Sequence, residues 1–225
     1  MPCHPTWETA GMDPRYNGVA VGDGNLDGKG VYATRDFAAG EPVVSYELVP
    51  LSREDFARLP AGEDLFVHSY GGRRWLYPPP ARWVNHADEP SCFQDFARGC
   101  DTALRPIRAG EAVTIDACAE TDYELSTFLD AYIGSRNARD TEALLELVDP
   151  QAVIWYRGRR VGGHHAVVDA LIADGPIRLG RVEWLIGTGR WEALCSAECR
   201  DDLRHVTASL KVIAGNWQLV YEHRG

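Results

Sequence analysis

Lysine is almost missing from this 225-residue chain: Lys29 and Lys211 are its two examples, and arginine carries the rest of the positive charge. Against 23 basic residues stand 33 acidic ones, for a formal net charge of −10. The excess is concentrated early, at about −7 over residues 1–120 and about −3 over residues 121–225. Such a chain is badly placed to neutralise a phosphate backbone, so nucleic acid is not an expected partner. No apolar run approaches the length of a bilayer crossing, and the first residues lack a basic-then-apolar leader pattern. No membrane association is expected. Cysteine is sparse too: six are present without the dense spacing of a disulfide framework, which suggests reduced thiols in a cytoplasm. Cys195 and Cys199 lie four apart in an expected strand, on one face but roughly 13 Å from each other, beyond the reach of a disulfide.

What is present is an ordinary folding composition, 45% hydrophobic, in a chain long enough for one large domain or two small ones. Residues 1–18 read as a loose arm. Gly22 to Gly30 is glycine-rich and leads into Val31-Tyr32-Ala33; a hairpin turn is its plain reading, and no helix pattern opens behind it as a dinucleotide fingerprint requires. Asp36 to Tyr46 gives a turn and an alternating strand. Leu51 to Leu59 predicts a helix capped by Ser52, with Asp55 three residues on completing a weak capping box. Phe66 to Tyr77 is aromatic and broken by glycine, and Pro78-Pro79-Pro80 forbids a continuing helix or central strand. Arg82 to Cys92 is a polar, turn-forming cluster around Asn85-His86. Ala103 to Asp116 then brings an apolar stretch, a Gly110-Glu111 turn and a further strand.

Taken together, these blocks resemble a SET domain, the knotted β fold that binds S-adenosylmethionine and usually methylates lysine. Gly28-Lys29-Gly30 with Val31-Tyr32-Ala33 is similar to the family's opening strand turn, where glycine lets backbone approach the cofactor. Asn85-His86, Pro90, Gly110-Glu111 and Thr114-x-Asp116 match its closing half in order. The resemblance implies that Lys29, Gly30, Val31, Tyr32, Asn85 and His86 contact S-adenosyl-L-methionine. Where the family places its catalytic tyrosine, this chain has Ala117. Tyr46, Tyr70 and Tyr123 are the candidate phenols to stand in for it, with pocket wall as the competing role for Tyr46 and Tyr70. Cys92 matches a family cysteine that often joins a zinc site, but the downstream Cys-x-Cys is absent and Cys118 stands alone. No metal is expected, because a thiolate zinc site needs four ligands.

After Glu120 the pattern changes. Leu125, Phe128, Leu129, Tyr132 and Ile133 recur at helical spacing, with Asp122, Asp130 and Arg136 expected outside the apolar face. Asp140 caps a second helix over Thr141 to Val148, which Asp149-Pro150 stops. Ala152 to Tyr156 reads as a strand, Arg157 to Arg160 as a turn, and His164 to Ala173 as a third helix. Val182 to Ile186, Trp191 to Cys199, Leu203 to Ile213 and Trp217 to Glu222 read as long alternating strands. This order resembles the nuclear transport factor 2-like fold and its SnoaL-like group, a curved antiparallel sheet rolled with three helices into an α+β cone. The expected layout is thus a mainly-β SET domain over residues 1–120 and a cone over residues 121–225.

The reaction the first resemblance implies is methyl transfer to a protein lysine or a small-molecule amine. The amine lone pair attacks the sulfonium methyl in line, so catalysis is mostly positioning and desolvation. Loss of the phenol at Ala117 leaves weakened activity, a different substrate or a pure binding module all open. In the cone, an apolar cup would shift the pKa values of acid-base groups. Candidates are His164, His165, His205, Asp130 and Glu192, though no pair has the spacing of a dyad; Trp155, His164 and His205 are the expected substrate contacts. Trp155, Trp184, Trp191 and Trp217 suit core or dimer-face packing, or an aromatic ligand. Three classes follow: a cytoplasmic methyltransferase whose cone binds substrate or makes a homodimer, a lyase, isomerase or cyclase acting in the cone alone, and a non-catalytic dimeric adaptor.

Overall fold

Gly40 and Gly110 mark two near-identical turns that shape the first part of the molecule, Phe37-Ala38-Ala39-Gly40-Glu41 and Ile107-Arg108-Ala109-Gly110-Glu111. In each, the glutamate carboxylate accepts the N–H three residues earlier, Ala38 N to Glu41 at 2.9 Å and Arg108 N to Glu111 at 3.1 Å. Both glycines take positive φ, +80° and +88°, which a side chain would strain. Phe37 and Ile107 exchange backbone hydrogen bonds of 2.9 and 3.0 Å and are both buried.

The computed structural model describes residues 17–24, 28–156, 158–187, 192–200 and 204–224. Residues 1–16 of the expected arm at 1–18, the turn residues Asn25 to Asp27, Arg157, Trp191 and Leu203 lie outside the described residues. Along the chain the elements are β1 (Val19–Asp23), β2 (Lys29–Ala33), β3 (Pro42–Ser45), β4 (Val49–Leu51), α1 (Arg53–Ala57), β5 (Val67–Tyr70), β6 (Arg73–Leu76), β7 (Asn85–His86), β8 (Cys92–Asp95), β9 (Cys100–Ala103) and β10 (Ala112–Ile115). They continue with α2 (Ala117–Ala138), α3 (Thr141–Leu147), β11 (Val148–Tyr156), β12 (Arg159–Gly162), α4 (His164–Ala173), β13 (Leu179–Ile186), β14 (Glu192–Cys199), β15 (His205–Ile213) and β16 (Asn216–Arg224).

Two compact units form, residues 1–49 with 76–122, and residues 50–75 with 123–225. In the first, two small sheets run β1-β2-β10-β7 and β3-β9-β8. The last strand, β10, lies between β2 and β7: Val113 pairs antiparallel with Val31, while Thr114 and Ile115 pair parallel with Asn85 and His86. The later segment is therefore enclosed on both sides by earlier ones, as the SET-type closing half requires. Val31, Ala33, Val113 and Phe37 fill the interior.

The second unit differs from the expected boundary, because residues 50–75 group with the cone rather than with the first domain. The reason is a set of buried bonds. Ser69 Oγ donates to Asn216 Oδ1 and accepts the Trp217 N–H at 3.2 Å, Asn216 Nδ2 donates to the Gly72 carbonyl at 2.9 Å, and the Arg74 guanidinium donates to the Ala214 carbonyl. The division at residues 122 and 123 also falls inside α2, so no linker follows residue 120. Ser52 caps α1 as predicted, its hydroxyl accepting from Asp55 N and the Asp55 carboxylate accepting from Ser52 N.

The cone itself follows the predicted order. Six strands run β12-β11-β16-β15-β14-β13, parallel at β11–β16 and otherwise antiparallel. The stripe Leu125, Phe128 and Tyr132 of α2 packs with Leu144, Leu147, Val167, Leu171, Trp217 and Leu219; each large apolar side chain buried this way contributes about 1.5–3 kcal/mol. Asp140 caps α3 by accepting from Ala143 N at 3.0 Å. One local correction concerns Arg159 and Arg160, which begin β12 instead of lying in a turn. They pair with Tyr156 and Trp155.

Candidate functional site

The Gly28-Lys29-Gly30 turn and the Asn85-His86 strand meet. Asn85 Nδ2 donates to the Lys29 carbonyl at 3.2 Å. A Cβ on Gly30 would stand 3.3 Å from the Tyr32 ring and 3.4 Å from Asn85 Nδ2, a tight fit against two side chains. Lys29 Nζ lies 4.2 Å from the Trp83 ring centroid, a cation–π contact. Tyr32 donates to the Asp23 carbonyl at 2.6 Å, the Val31 and Tyr32 side chains are buried, and their backbone is paired with β1 on one side and β10 on the other.

His86 is exposed and bridges to the missing tyrosine's position. Ala117 N–H donates to His86 Nδ1 at 3.2 Å, which leaves the ring proton on Nε2, 3.5 Å from Asp88 Oδ1. Asp116 Oδ1 accepts the Cys118 N–H at 2.8 Å, opening α2. Lys29 Nζ thus stands over Trp83, Asn85 reaches the Lys29 carbonyl, and His86 lies beside the Asp88 and Asp116 carboxylates. That donor set fits a ligand carrying both a carboxylate and a cationic centre.

Of the three candidate phenols, Tyr46 belongs to the first unit and Tyr70 and Tyr123 to the second. Tyr46 donates to Asp101 Oδ1, and its ring meets Tyr77 edge-on at 5.4 Å and Phe96 at 6.3 Å. Burial, then the Asp101 charge, pushes the Tyr46 hydroxyl far above its ordinary range. Asp101 is 1% exposed, and burial drives its carboxyl up to about 7 against the opposing Tyr46 hydrogen bond. A cavity of about 550 Å³ lined by Val43, Ser45, Glu47 and Pro78 to Pro80 lies beside β3. Tyr46 is not among the residues that line it.

Tyr70 stacks on His68 at 6.3 Å and meets Tyr123 at 5.5 Å. Glu124 anchors this group: its carboxylate accepts Ser69 N at 3.0 Å and the Trp217 indole N–H at 3.1 Å, with His68 Nδ1 at 3.2 Å. The expected substrate contacts of the cone are dispersed. His164 Nε2 sits 2.9 Å from both the Leu145 and Val148 carbonyls, so its ring holds the end of α3. His205 Nε2 is 2.8 Å from Ser196 Oγ, and Trp155 is 40% exposed. His165 meets His164 at 5.9 Å, Glu192 pairs with Lys211 at 2.7 Å, and Asp130 is exposed.

The cone's interior holds a polar group that no sequence motif marks. A cavity of about 20 Å³, lined by Phe128, Tyr132, Trp184, Cys195, Leu219 and Glu222 among others, has room for one water. Tyr132 donates to Glu222 Oε2 at 2.8 Å, and Arg136 NH1 lies 3.5 Å from Glu222 Oε1. Arg136 NH2 reaches Asp174 Oδ2 at 2.9 Å. Burial raises the pKa of Glu222, with Arg136 opposing. Arg136 is a correction: expected outside the apolar face, it is 1% exposed. Its position four residues after Tyr132, on the stripe Leu125-Phe128-Tyr132, was the available signal.

The fold is a unit of small β-sheets and a second unit in which a six-stranded sheet packs with helices. Residues 28–116 match the family model described as SET domain. Among solved structures, a protein of the DUF3225 family from Pectobacterium atrosepticum is 16% identical, with a TM-score of 0.41 over 48% of this chain and 91% of its own. A nuclear transport factor 2-like protein from Novosphingobium aromaticivorans is 18% identical, with a TM-score of 0.40 over 48% and 82%. A Plasmodium falciparum protein provisionally described as a histone methyltransferase is 16% identical, with a TM-score of 0.35 over 44% and 90%. No curated protein matches the chain.

Proposed function

We propose that the first unit binds S-adenosylmethionine at the surface shared by Lys29, Gly30, Asn85 and His86 and serves a methyl transfer to an amine. The observation that carries this reading is the Asn85–Lys29 bond, which joins the glycine turn to the Asn-His strand beside β10. When bound, the cofactor supplies an electrophilic methyl group. The chain's part is to hold and exclude. Lys29 is the cation for a carboxylate, and the Asn85 amide, held on the Lys29 carbonyl, keeps the glycine turn in place. His86, tied to Ala117, fixes the start of α2. Calorimetry with S-adenosylmethionine tests the assignment: wild type gives binding heat, and Asn85→Ala with His86→Ala removes it. Absence of heat from folded wild type at millimolar ligand would sink it.

A second reading, chemistry in the cone, draws on Glu222. Its buried carboxyl, held by Tyr132 and Arg136 at an apolar cavity with room for one water, suits proton exchange with a water there. Product formation surviving the Asn85 and His86 substitutions but lost in Glu222→Gln would favour it. The cone is also proposed to pair with a second copy. Leu185 and Leu194 are cross-strand partners exposed at 69% and 46%, an apolar pair on the sheet's outer face. Sedimentation of Leu185→Glu as a monomer beside a dimeric wild type is the expected result.

A further inference from the structure

The first unit carries a polar row that the cofactor surface does not use. In the sheet β3-β9-β8, Val44 pairs with Asp101 and Asp101 with Gln94. Tyr46, two residues beyond Val44, shares that face and donates to Asp101. Tyr46, Asp101 and Gln94 therefore stand side by side across three neighbouring segments. Asp101 is 1% exposed, and among the described residues its side chain bonds to Tyr46 with no cation paired to it. The Gln94 Oε1 is buried and has no hydrogen-bond partner. A buried carboxylate lacking a counter-charge, next to an orphaned acceptor, costs free energy that a cationic donor would recover. The surroundings favour a small organic cation: the Tyr46, Tyr77 and Phe96 rings lie together, and Glu120 adds a second acidic group. Gln94, Phe96 and Tyr46 are each only partly buried, which leaves an approach along that edge. Glu120 follows Ala117 by one helical turn on α2, on the same side of the helix as the residue bonded to His86.

We propose that the row Tyr46–Asp101–Gln94 receives the ammonium group of a primary amine, and that Asp101 takes a proton from it. One N–H bond breaks with its electron pair left on nitrogen, an O–H bond forms on the Asp101 carboxyl, and the amine becomes neutral and nucleophilic. Tyr46 keeps donating to Oδ1, and Gln94 Oε1 accepts a second N–H. This inference rests on the methyl-transfer reading for its purpose, but the amine site stands on its own geometry. Asp101 titrating near neutrality suits it to the task. The other titratable groups facing it are Tyr46 after β3, Cys92 on β8 and Glu120 on α2, with Tyr77 against the Tyr46 ring.

The probe is n-butylammonium, with n-butanol as its uncharged counterpart, titrated into the full chain by NMR of carboxyl and side-chain amide signals. Butylammonium is expected to shift the Asp101 and Gln94 signals and lower the pH at which Asp101 titrates, while butanol does neither. Asp101→Asn is expected to weaken binding by about tenfold or more and Gln94→Met by severalfold, as loss of charge-assisted bonds implies. Tyr46→Phe, which removes one hydroxyl and spares the fold, is expected to raise the Asp101 pKa further. Equal affinity in Asp101→Asn and wild type, or equal binding of butanol, overturns the proposal. Amine binding without S-adenosylmethionine binding removes the methyl-transfer reading and keeps the amine site. The reverse pattern keeps the cofactor site and removes this one.

Discussion

Replacing Asp101 by asparagine isolates the cost of a buried ionisable group, because the amide oxygen still accepts from Tyr46 while the charge is gone. In the folded chain the Asp101 carboxyl titrates at about 7, against 3.8 when unperturbed, chiefly through burial. Between those values the native state holds a proton that the unfolded state has released, so stability falls as pH rises across that window. Below both values the group contributes no difference, and above about pH 7 the loss is complete. The shift of roughly three units corresponds to about 4 kcal/mol, all of it specific to this residue. Amide exchange at β9, read at about pH 4 and about pH 8 and corrected for intrinsic rates, measures it locally. Wild type should lose about 4 kcal/mol of protection from this site over that range relative to Asp101→Asn, which makes the variant the more stable protein at alkaline pH. A wild-type-to-variant gap that stays constant within about 1 kcal/mol between the two pH values would refute the assignment of a displaced titration to Asp101.

Arg136→Ala removes the buried cation shared by Glu222 and Asp174 and should cost about 3–5 kcal/mol in urea unfolding of the cone, with the loss smaller below the raised Glu222 pKa, where that carboxyl is neutral. Gly215→Ala sets a methyl 2.5 Å from the Phe56 ring at a φ of +71°, so about 1–3 kcal/mol of destabilisation and faster exchange over residues 50–75 are expected. Ser52→Ala opens the α1 capping box for about 1 kcal/mol, read as fraying of that short helix by amide exchange.

Local chemistry made much of this molecule readable. Ser52 and Asp140 announced helix starts, because a side-chain oxygen there satisfies an otherwise orphaned N–H. The twin Gly-Glu turns and the Asn85-His86 strand were visible as ordered blocks, and the cone's helices and strands kept the periods of their apolar residues. Those signals depend on neighbours within a few positions, so the sequence carries them alone. Pairing decided the rest. Asp101 lies in a short strand, and only its register against Val44 and Gln94 reveals a polar row. Residues 50–75 looked like part of the first domain until Ser69, Gly72 and Arg74 found partners near the β15–β16 turn. Glu222 gives the plainest case. Strict alternation after Trp217 and Leu219 would send Tyr221 inward and Glu222 to the other face. The register slips by one at Val220, since Leu210 pairs with Leu219 while Ser209 pairs with Tyr221. That single unpaired residue reverses the faces beyond it and turns a carboxylate into the cone, a consequence of strand geometry that no reading of residue order contains.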